Sequence, residues 1–175
     1  MNDVTGYYGG EPCGHNNTTP LAAIQQWLPR ATGIKGVPSV SSTDQSGIAA
    51  AATAAGAADL VIMAIGSDLS LEQEGHDSLT IDISAAQLAL VSAVATAAKM
   101  PIIVLVFSGG ARDVSPLLSN PKVGAIFWVG QPSVQIAAIG DLIFGRTLDG
   151  RQYSPAARMN QMTYPANFVN QVRSR

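Results

Sequence analysis

Apolar and polar positions follow two different patterns along this chain, and the change lies near residue 45. Residues 1–45 are rich in glycine and proline and contain one short helical pattern, Pro20–Leu28, which predicts a loop-rich N-terminal segment. From residue 46 onward, helical and strand patterns alternate. The predicted helices are Gly47–Ala58, Ser84–Lys99 and Val134–Phe144, and the predicted strands are Leu60–Ile65, Pro101–Phe107 and Val123–Val129.

The second predicted strand indicates the class of the fold. Its residues from Ile102 to Phe107 are apolar at even and odd positions alike, which is typical of a strand buried on both faces of a parallel sheet. With the alternation of helices and strands, this predicts an α/β fold with a mostly parallel, doubly wound sheet covered by helices on both faces. The length favours a single domain, in which residues 46–175 form the core and an irregular C-terminal tail, strand-like near Met162–Tyr164.

Composition and charge exclude several classes of partner. Ten basic and twelve acidic residues give a formal charge of −2 without a basic stripe, so nucleic acid is not an expected partner. The longest apolar runs, such as Pro101–Phe107, are far shorter than the roughly 20 residues that cross a bilayer, so no membrane span is expected. The first residues show neither a basic region nor an apolar run, so no signal peptide is visible in them.

Function on such a sheet is expected in the loops beyond the carboxyl ends of the strands. Three loops qualify, and they contain Leu71–Ser78, Ser108–Asp113 and Gly130–Ser133. The first reads LEQEGHDS and holds three carboxylates, Glu72, Glu74 and Asp77, together with His76, one of only two histidines. This stretch is therefore the leading candidate for a site.

Other chemistries fit the loops less well. The glycines after Ser108 lack the spacing of a phosphate-binding loop and favour a tight turn. A triad of Ser108, His76 and an aspartate lacks the G-x-S-x-G elbow of hydrolases. His15 and His76 lie far apart and show no metal-ligand spacing, so neither a metal nor another cofactor is expected.

The acidic loop itself admits two interpretations. Crowding of three carboxylates favours protonation of one of them, which is what a general acid needs near neutral pH. Gly75 allows a sharp turn that projects the carboxyl group of Glu74 into a cleft. A polar loop rich in acids is more often an ordinary solvated turn, so spacing alone favours that interpretation and leaves the catalytic one open.

Six blocks in order give the chain a family resemblance. They read GYYGGEPCG, ADLVIMAIGSDLSLEQEGHD, ALVSAVATAAKMPIIVLVFSGGARDVS, NPKVGAIFWVGQP, AIGDLIFG and MTYPANFV. Together they resemble the C-terminal α/β-sandwich domain of family 3 glycoside hydrolases, in the β-xylosidase branch. The resemblance covers nearly the whole chain.

The resemblance implies a catalytic role for the acidic loop. In that family a TIM-type barrel supplies an aspartate nucleophile and the sandwich supplies the general acid/base glutamate, with the two carboxyl groups about 5 Å apart for a retaining reaction on a β-linked sugar. The family's E-A-E-G-x-D-R pattern matches Glu72–Asp77 and implies that Glu74 is the acid/base and Glu72 the second candidate. Asp68, His76 and Asp77 are expected to position the loop or bind substrate.

Four departures from the family pattern support a second hypothesis. The barrel with its nucleophile is absent from this chain, and so is the family's first sandwich strand, so a barrel or another chain is expected to cover the open sheet edge. Ser78 stands where the family has arginine, and the segments Gln131–Gln135 and Gly150–Pro155 also differ. A non-catalytic sandwich, used as a structural or carbohydrate-binding module, is therefore the alternative function.

Three residues near the N-terminus bear on the compartment. Cys13 is the only cysteine, and since the family's partner cysteine is missing near Gly33–Val37, a free or intermolecular thiol is expected. Asn16 and Asn17 begin two overlapping N-glycosylation sequons. The family resemblance implies an extracellular or secretory-pathway location.

Overall fold

Three parallel strands form the sheet in the computed structural model, which describes residues 18–152 and 162–172. The described residues fall into two compact units, one made of residues 34–130 and 162–172 and the other of residues 18–33 and 131–152. The sheet and the acidic loop belong to the first unit. The expectation of a single domain stays a prediction.

Nine regular helices and strands are described, along with two segments of 3-10 helix, Ser133–Ala138 and Ala166–Phe168. In chain order they are α1 (Pro20–Gln25), α2 (Ile48–Ala57), β1 (Ile62–Gly66), α3 (Ala85–Ala97), β2 (Ile102–Phe107), α4 (Ser115–Leu118), β3 (Val123–Gly130), α5 (Ile139–Phe144) and α6 (Val169–Val172).

The sheet has the order β1-β2-β3, and both strand pairs are parallel. Helix α3 connects β1 to β2, and α4 lies between β2 and β3 in the chain, as parallel pairing requires. The predicted α/β class with a mostly parallel sheet is confirmed. Because the strands are parallel, the loops that follow β1 and β2 leave the same edge of the sheet.

The core of the first unit lies between the sheet and the helices α2 and α3. Ile102, Val104 and Val106 of β2 are completely buried and belong to one cluster with Leu90 and Val94 of α3. On the opposite parity of the strand, Leu105 and Phe107 are buried as well. The prediction that β2 is buried on both faces is therefore confirmed. Helix α2 contributes small side chains to this cluster, Ala51 and Ala55, which allow close packing on α3.

Two predicted elements differ from the structure. The predicted helix Val134–Phe144 is α-helical only from Ile139, because its first part is wound as 3-10 helix with a hydrogen bond from the Gln135 N–H to the Pro132 carbonyl, three residues back. The strand-like pattern at Met162–Tyr164 forms no strand. Pro165 has no N–H for a ladder, and the N–H of Ala166 donates to Asp113 Oδ2 at 2.8 Å.

The second unit is held together around Trp27. Thr19 caps α1 by accepting a hydrogen bond from the Ala22 N–H at 3.1 Å, and Pro20 occupies the first turn, where its missing N–H costs nothing. The ring of Trp27 lies 5.1 Å from that of Phe144, and the guanidinium carbon of Arg146 lies 5.8 Å from the Trp27 ring centroid.

Several residues named from the sequence lie outside the described part of the chain, namely Cys13, His15, Asn16 and Asn17. In the described part, β1 pairs with β2 along one side only, so a strand or partner on its other side stays a prediction. No helix within the described ranges is long and apolar enough to cross a membrane.

Candidate active site

The loops after β1 and β2 are joined at the very end of the sheet. Gly66, the last residue of β1, has a φ of +145°, and a Cβ atom at this position would lie 1.7 Å from the carbonyl oxygen of Phe107. Only glycine fits there, because any side chain would separate the two strands. The next residue, Ser67, donates its N–H to the same Phe107 carbonyl at 2.8 Å.

A buried glutamine fixes the same strand end from the side of α3. Gln87 accepts a hydrogen bond from the Gly66 N–H at 2.7 Å and donates to the Gly66 carbonyl at 2.9 Å. Its amide also donates to the carbonyl of Val40 at 3.1 Å. The sequence relation of Ser84 and Gln87 predicts a capping box, and Ser84 does cap α3, but the Gln87 side chain serves the sheet edge instead.

Glu72, in the first half of the acidic loop, is held at both carboxylate oxygens. Its Oε2 lies 2.6 Å from Nη2 of Arg112. Its Oε1 accepts hydrogen bonds from the Ser67 hydroxyl at 3.1 Å and from the Gly110 N–H at 3.3 Å. The Glu72 side chain is 27% exposed, so the carboxylate is partly accessible to solvent. Its three contacts hold it in place.

Arg112 is the charged residue at the centre of this arrangement, and its side chain is only 2% exposed. Its Nε donates to the Ser108 hydroxyl at 3.2 Å, and its Nη1 donates to the Ser78 hydroxyl at 3.3 Å and to the Thr80 carbonyl at 3.1 Å. The Nη2 contact with Glu72 is close but lacks hydrogen-bond geometry, so it is an ion pair only. The guanidinium therefore joins both ends of the acidic loop to the loop after β2.

Residues Gln73–His76 form a tight turn at the tip of the acidic loop. The N–H of Gln73 donates to the His76 carbonyl at 3.0 Å, and the N–H of His76 donates to the Gln73 carbonyl at 2.9 Å. Gly75 has a φ of +75°, a conformation that favours glycine at the third position of a turn. Glu74, at the second position, is exposed.

The exposed side chains of the acidic loop are not engaged by other described residues. Within residues 18–152 and 162–172, Glu74, His76 and Asp77 form no side-chain hydrogen bond or ion pair. The structure therefore separates the two glutamates of the loop, since Glu72 is anchored by a buried cation and Glu74 is presented at the tip of a turn.

Asp68 shapes the start of the loop. Its Oδ1 accepts hydrogen bonds from the Ser70 N–H at 2.9 Å and from the Ser70 hydroxyl at 2.5 Å. Its carbonyl accepts from the N–H groups of Leu71 and Glu72. These contacts lie within the loop, and the two roles expected for Asp68, positioning the loop and binding substrate, stay predictions.

Ser108 is buried, and its hydroxyl contacts other groups of the protein. Its side chain is buried, its hydroxyl donates to the Gly110 carbonyl at 2.7 Å, and its Oγ lies 2.8 Å from that of Ser67. The Gly110 N–H donates to Glu72 Oε1 at 3.3 Å, and residues 109–110 form a bend rather than the predicted tight turn. Among the residues the structure describes, no group of three or more histidine, cysteine, aspartate and glutamate side chains is placed to hold a metal ion.

Asp113 ties the C-terminal segment to the loop after β2. Burial disfavours its charged form, but hydrogen bonds from the side chain and N–H of Ser115 and from the Ala166 N–H outweigh burial, so the pKa of Asp113 is lowered. The Asp113 N–H also donates to the carbonyl of Ile81, at the far end of the acidic loop.

Arg112 was not singled out from the sequence, and Gln87 was named there only as part of a capping box, not for its contacts with Gly66 and Val40. A signal for Arg112 exists, because it is a basic residue in the short loop between a strand buried on both faces and the next helix, and a buried arginine needs a partner. For Gln87 the apolar helix face around it is the comparable signal, since a buried amide must find hydrogen-bond partners.

Comparison with known proteins gives the family. The model of the glycosyl hydrolase family 3 C-terminal domain matches residues 2–171. A β-xylosidase/α-L-arabinofuranosidase of Medicago sativa subsp. varia is 35% identical over 97% of this chain and 21% of its own length. A probable exo-1,4-β-xylosidase of Neosartorya fischeri is 41% identical over 76% of this chain and 16% of its own length. The chain spans about a fifth of the length of curated relatives such as the first.

Solved structures give the same family. A GH3 exo-β-xylosidase, XlnD, in complex with a xylobiose aziridine probe superposes with a TM-score of 0.83 at 30% identity, over 97% of this chain and 21% of that one. A GH3 β-glucosidase of Bifidobacterium adolescentis superposes with a TM-score of 0.64 at 29% identity, over 74% of this chain and 19% of that one. The chain therefore belongs to glycoside hydrolase family 3, in which it corresponds to the C-terminal domain of β-xylosidase-like enzymes.

Proposed function

We propose that this domain supplies the general acid/base of a retaining β-glycosidase, with Glu74 in that role. One observation carries the proposal: Glu74 is the glutamate of the acidic loop that is exposed and unengaged among the described residues, on a turn whose base is fixed by Glu72 and Arg112. A residue that must give and take a proton at a substrate oxygen has to reach that oxygen without first breaking an ion pair.

The chemistry follows the two-step scheme of retaining glycosidases. An aspartate of the barrel domain attacks the anomeric carbon, the glycosidic C–O bond breaks, and Glu74 gives its proton to the leaving oxygen. In the second step the Glu74 carboxylate takes a proton from a water molecule, whose oxygen attacks the anomeric carbon and releases the aspartate. Glu72, held by Arg112, is the second candidate for this role.

The substrate class is proposed from the relatives. The two curated relatives described above are named as β-xylosidases, so we propose a terminal β-linked xylosyl unit as the group transferred to water. We also propose an extracellular or secretory-pathway setting, in which the sequons at Asn16 and Asn17 become glycosylation sites.

The test compares Glu74→Gln with the wild type in the whole encoded protein, using aryl β-xylosides with good and poor leaving groups. Loss of the proton donor should lower kcat/KM by about 10²–10⁴-fold for a poor leaving group and much less for a good one. Glu72→Gln is the matched variant. Azide, an anion that needs no general base, should restore turnover of Glu74→Gly with a good leaving group and yield the β-glycosyl azide.

Three outcomes contradict the proposal. Equal losses for good and poor leaving groups in Glu74→Gln exclude Glu74 as proton donor. Leaving-group dependence and azide rescue in the Glu72 variants instead transfer the role to Glu72. If the wild-type protein hydrolyses no aryl β-glycoside, the alternative of a non-catalytic structural or carbohydrate-binding sandwich replaces the enzyme proposal.

A further inference from the structure

We propose that Arg112 is a positioning residue that holds the acidic loop in place from the neighbouring loop. The proposal rests on the proposed function for its meaning in catalysis, but its geometry is independent of it. Arg112 extends from the loop after β2 and contacts the acidic loop at Glu72, before the turn, and at Ser78 and Thr80, after the turn. The exposed turn with Glu74 is thus closed at its base by one guanidinium group.

The three nitrogens of Arg112 have separate tasks. Nε is used on Ser108, in its own loop, Nη1 on the C-terminal side of the acidic loop, and Nη2 on Glu72. This fork geometry is specific to arginine, because a lysine ammonium is a single point of charge at the end of a flexible stem. Lysine at this position is therefore expected to keep the charge and lose part of the positioning.

Burial makes the arrangement sensitive to change. The Arg112 side chain is 2% exposed, and among the described residues its one anionic partner is Glu72. By contrast, the ion pair between Arg151 and Asp149 joins side chains that are 83% and 61% exposed. A pair of the exposed kind contributes little to structure, whereas removing one partner of a buried pair disturbs its surroundings. Arg151 is accordingly the matched control.

Ser78 supports the same inference. Its hydroxyl accepts from Arg112 and donates to the Thr80 carbonyl at 2.7 Å, so its small side chain lies directly against the guanidinium. A second cation at position 78 would compete with Arg112 for the same space and for Glu72. An arginine at 78 is therefore expected to disturb the wild type but to compensate for loss of the guanidinium at 112.

The experiment measures amide hydrogen exchange in the whole encoded protein for the wild type, Arg112→Met, Arg112→Lys and Arg151→Met. The reporters are the amides of Leu71, Glu72, Gln73 and His76, which close the loop by hydrogen bonds. Arg112→Met should raise their exchange rates by about 10-fold or more while amides of β2 and α3 keep theirs, because only the loop opens. Arg112→Lys should give a smaller rise, and Arg151→Met none.

A kinetic arm reports the consequence for catalysis. Misplacement of a proton donor by about 1 Å can reduce turnover by ~10²-fold, so Arg112→Met should lower kcat for poor leaving groups by about 10–100-fold and change KM by less than about 3-fold. Ser78→Arg should lower kcat in the wild type and raise it in Arg112→Met.

The outcomes separate this inference from the proposed function. Unchanged loop exchange in Arg112→Met overturns the inference, and so does an equal rise in the loop, β2 and α3, since that is a general loss of stability. If Arg112→Met fails to fold, Arg112→Lys decides by the same comparison. An inactive wild type overturns the proposed function alone, because the exchange measurement still decides whether Arg112 holds the loop.

Discussion

The acidic loop, which follows β1 and contains the stretch Leu71–Ser78, has two adjacent segments with opposite environments, residues 67–72 and residues 73–77, which are its first and second half. In the first half, residues 67–72, carboxylates are used by the protein itself, since Asp68 accepts from Ser70 and Glu72 is bound by Arg112. In the second half, residues 73–77, the side chains are exposed. Two glutamates separated by one residue are thereby assigned to different tasks. The anchored half fixes the base of the loop, and the exposed half leaves its functional groups accessible to a bound substrate.

The largest effect on stability is expected from the anchored glutamate. Glu72→Gln leaves Arg112 without its counter-charge, which should lower the free energy of unfolding by about 2–3 kcal/mol, somewhat less than for a fully buried pair because Glu72 is 27% exposed. Glu74→Gln should change it by less than about 0.5 kcal/mol. Urea unfolding at pH 7 measures both, and equal values for the two variants would abolish the distinction between the halves.

A smaller effect is expected at the turn. Gly75 has a φ of +75° with open space around its missing Cβ, so Gly75→Ala introduces backbone strain without a clash. The cost should be about 1–2 kcal/mol, since the left-handed conformation is unfavourable for alanine.

Gly75→Asn is the control for this variant, because asparagine tolerates the left-handed region and should cost less. The measurement is urea unfolding together with kcat for a poor leaving group. If the function of the turn is to present Glu74, both variants should lower kcat even under conditions in which they are fully folded. An alanine variant as stable and active as the wild type would mean that the turn conformation is unimportant.

The smallest effect concerns the loop that supplies Arg112. Asp113→Asn removes a charge that accepts hydrogen bonds from Ser115 and Ala166, which should cost about 1 kcal/mol at pH 7. Because the folded-state pKa of Asp113 is lowered, its stabilisation is fully present above about pH 4 and is lost as the pH falls through the folded-state pKa.

The free energies of unfolding of Asp113→Asn and the wild type should therefore differ less at pH 3 than at pH 7. Urea unfolding at both pH values measures this. Asp77, an exposed aspartate in the second half of the acidic loop, provides the control: Asp77→Asn should change the free energy of unfolding by less than about 0.5 kcal/mol at pH 7. If the two free energies of unfolding differ more at pH 3 than at pH 7, the lowered pKa of Asp113 is contradicted.

Periodicity in the sequence was enough to predict most of the fold. The strands β1, β2 and β3 and the helices α2 and α3 lie within a few residues of their predicted positions, because a strand buried on both faces leaves a continuous apolar run. The short α4 and the 3-10 winding before α5 were not predicted. Such short elements depend on local turns and on packing, which leave little periodic signal.

The site was predictable only in part. Spacing located the acidic loop but favoured a solvated turn as its interpretation, and the family resemblance was needed to choose Glu74 among the carboxylates. The roles of Arg112 and Gln87 at the site were not predicted because their partners are distant in the sequence: Gly66 lies 21 residues from Gln87, and Ser78 lies 34 from Arg112. Contacts of that kind arise when strands pair, and a one-dimensional pattern does not contain them.

The glycine at the end of β1 limits how this site can be altered. Since a single methyl group at Gly66 would collide with the Phe107 carbonyl, the point and direction in which the acidic loop leaves the sheet are fixed by strand pairing. Natural drift and laboratory evolution can therefore retune the loop only beyond this residue, through the identity of the side chains at its tip. For protein engineering, the end of β1 should be kept unchanged, and a library of variants should begin at Gln73.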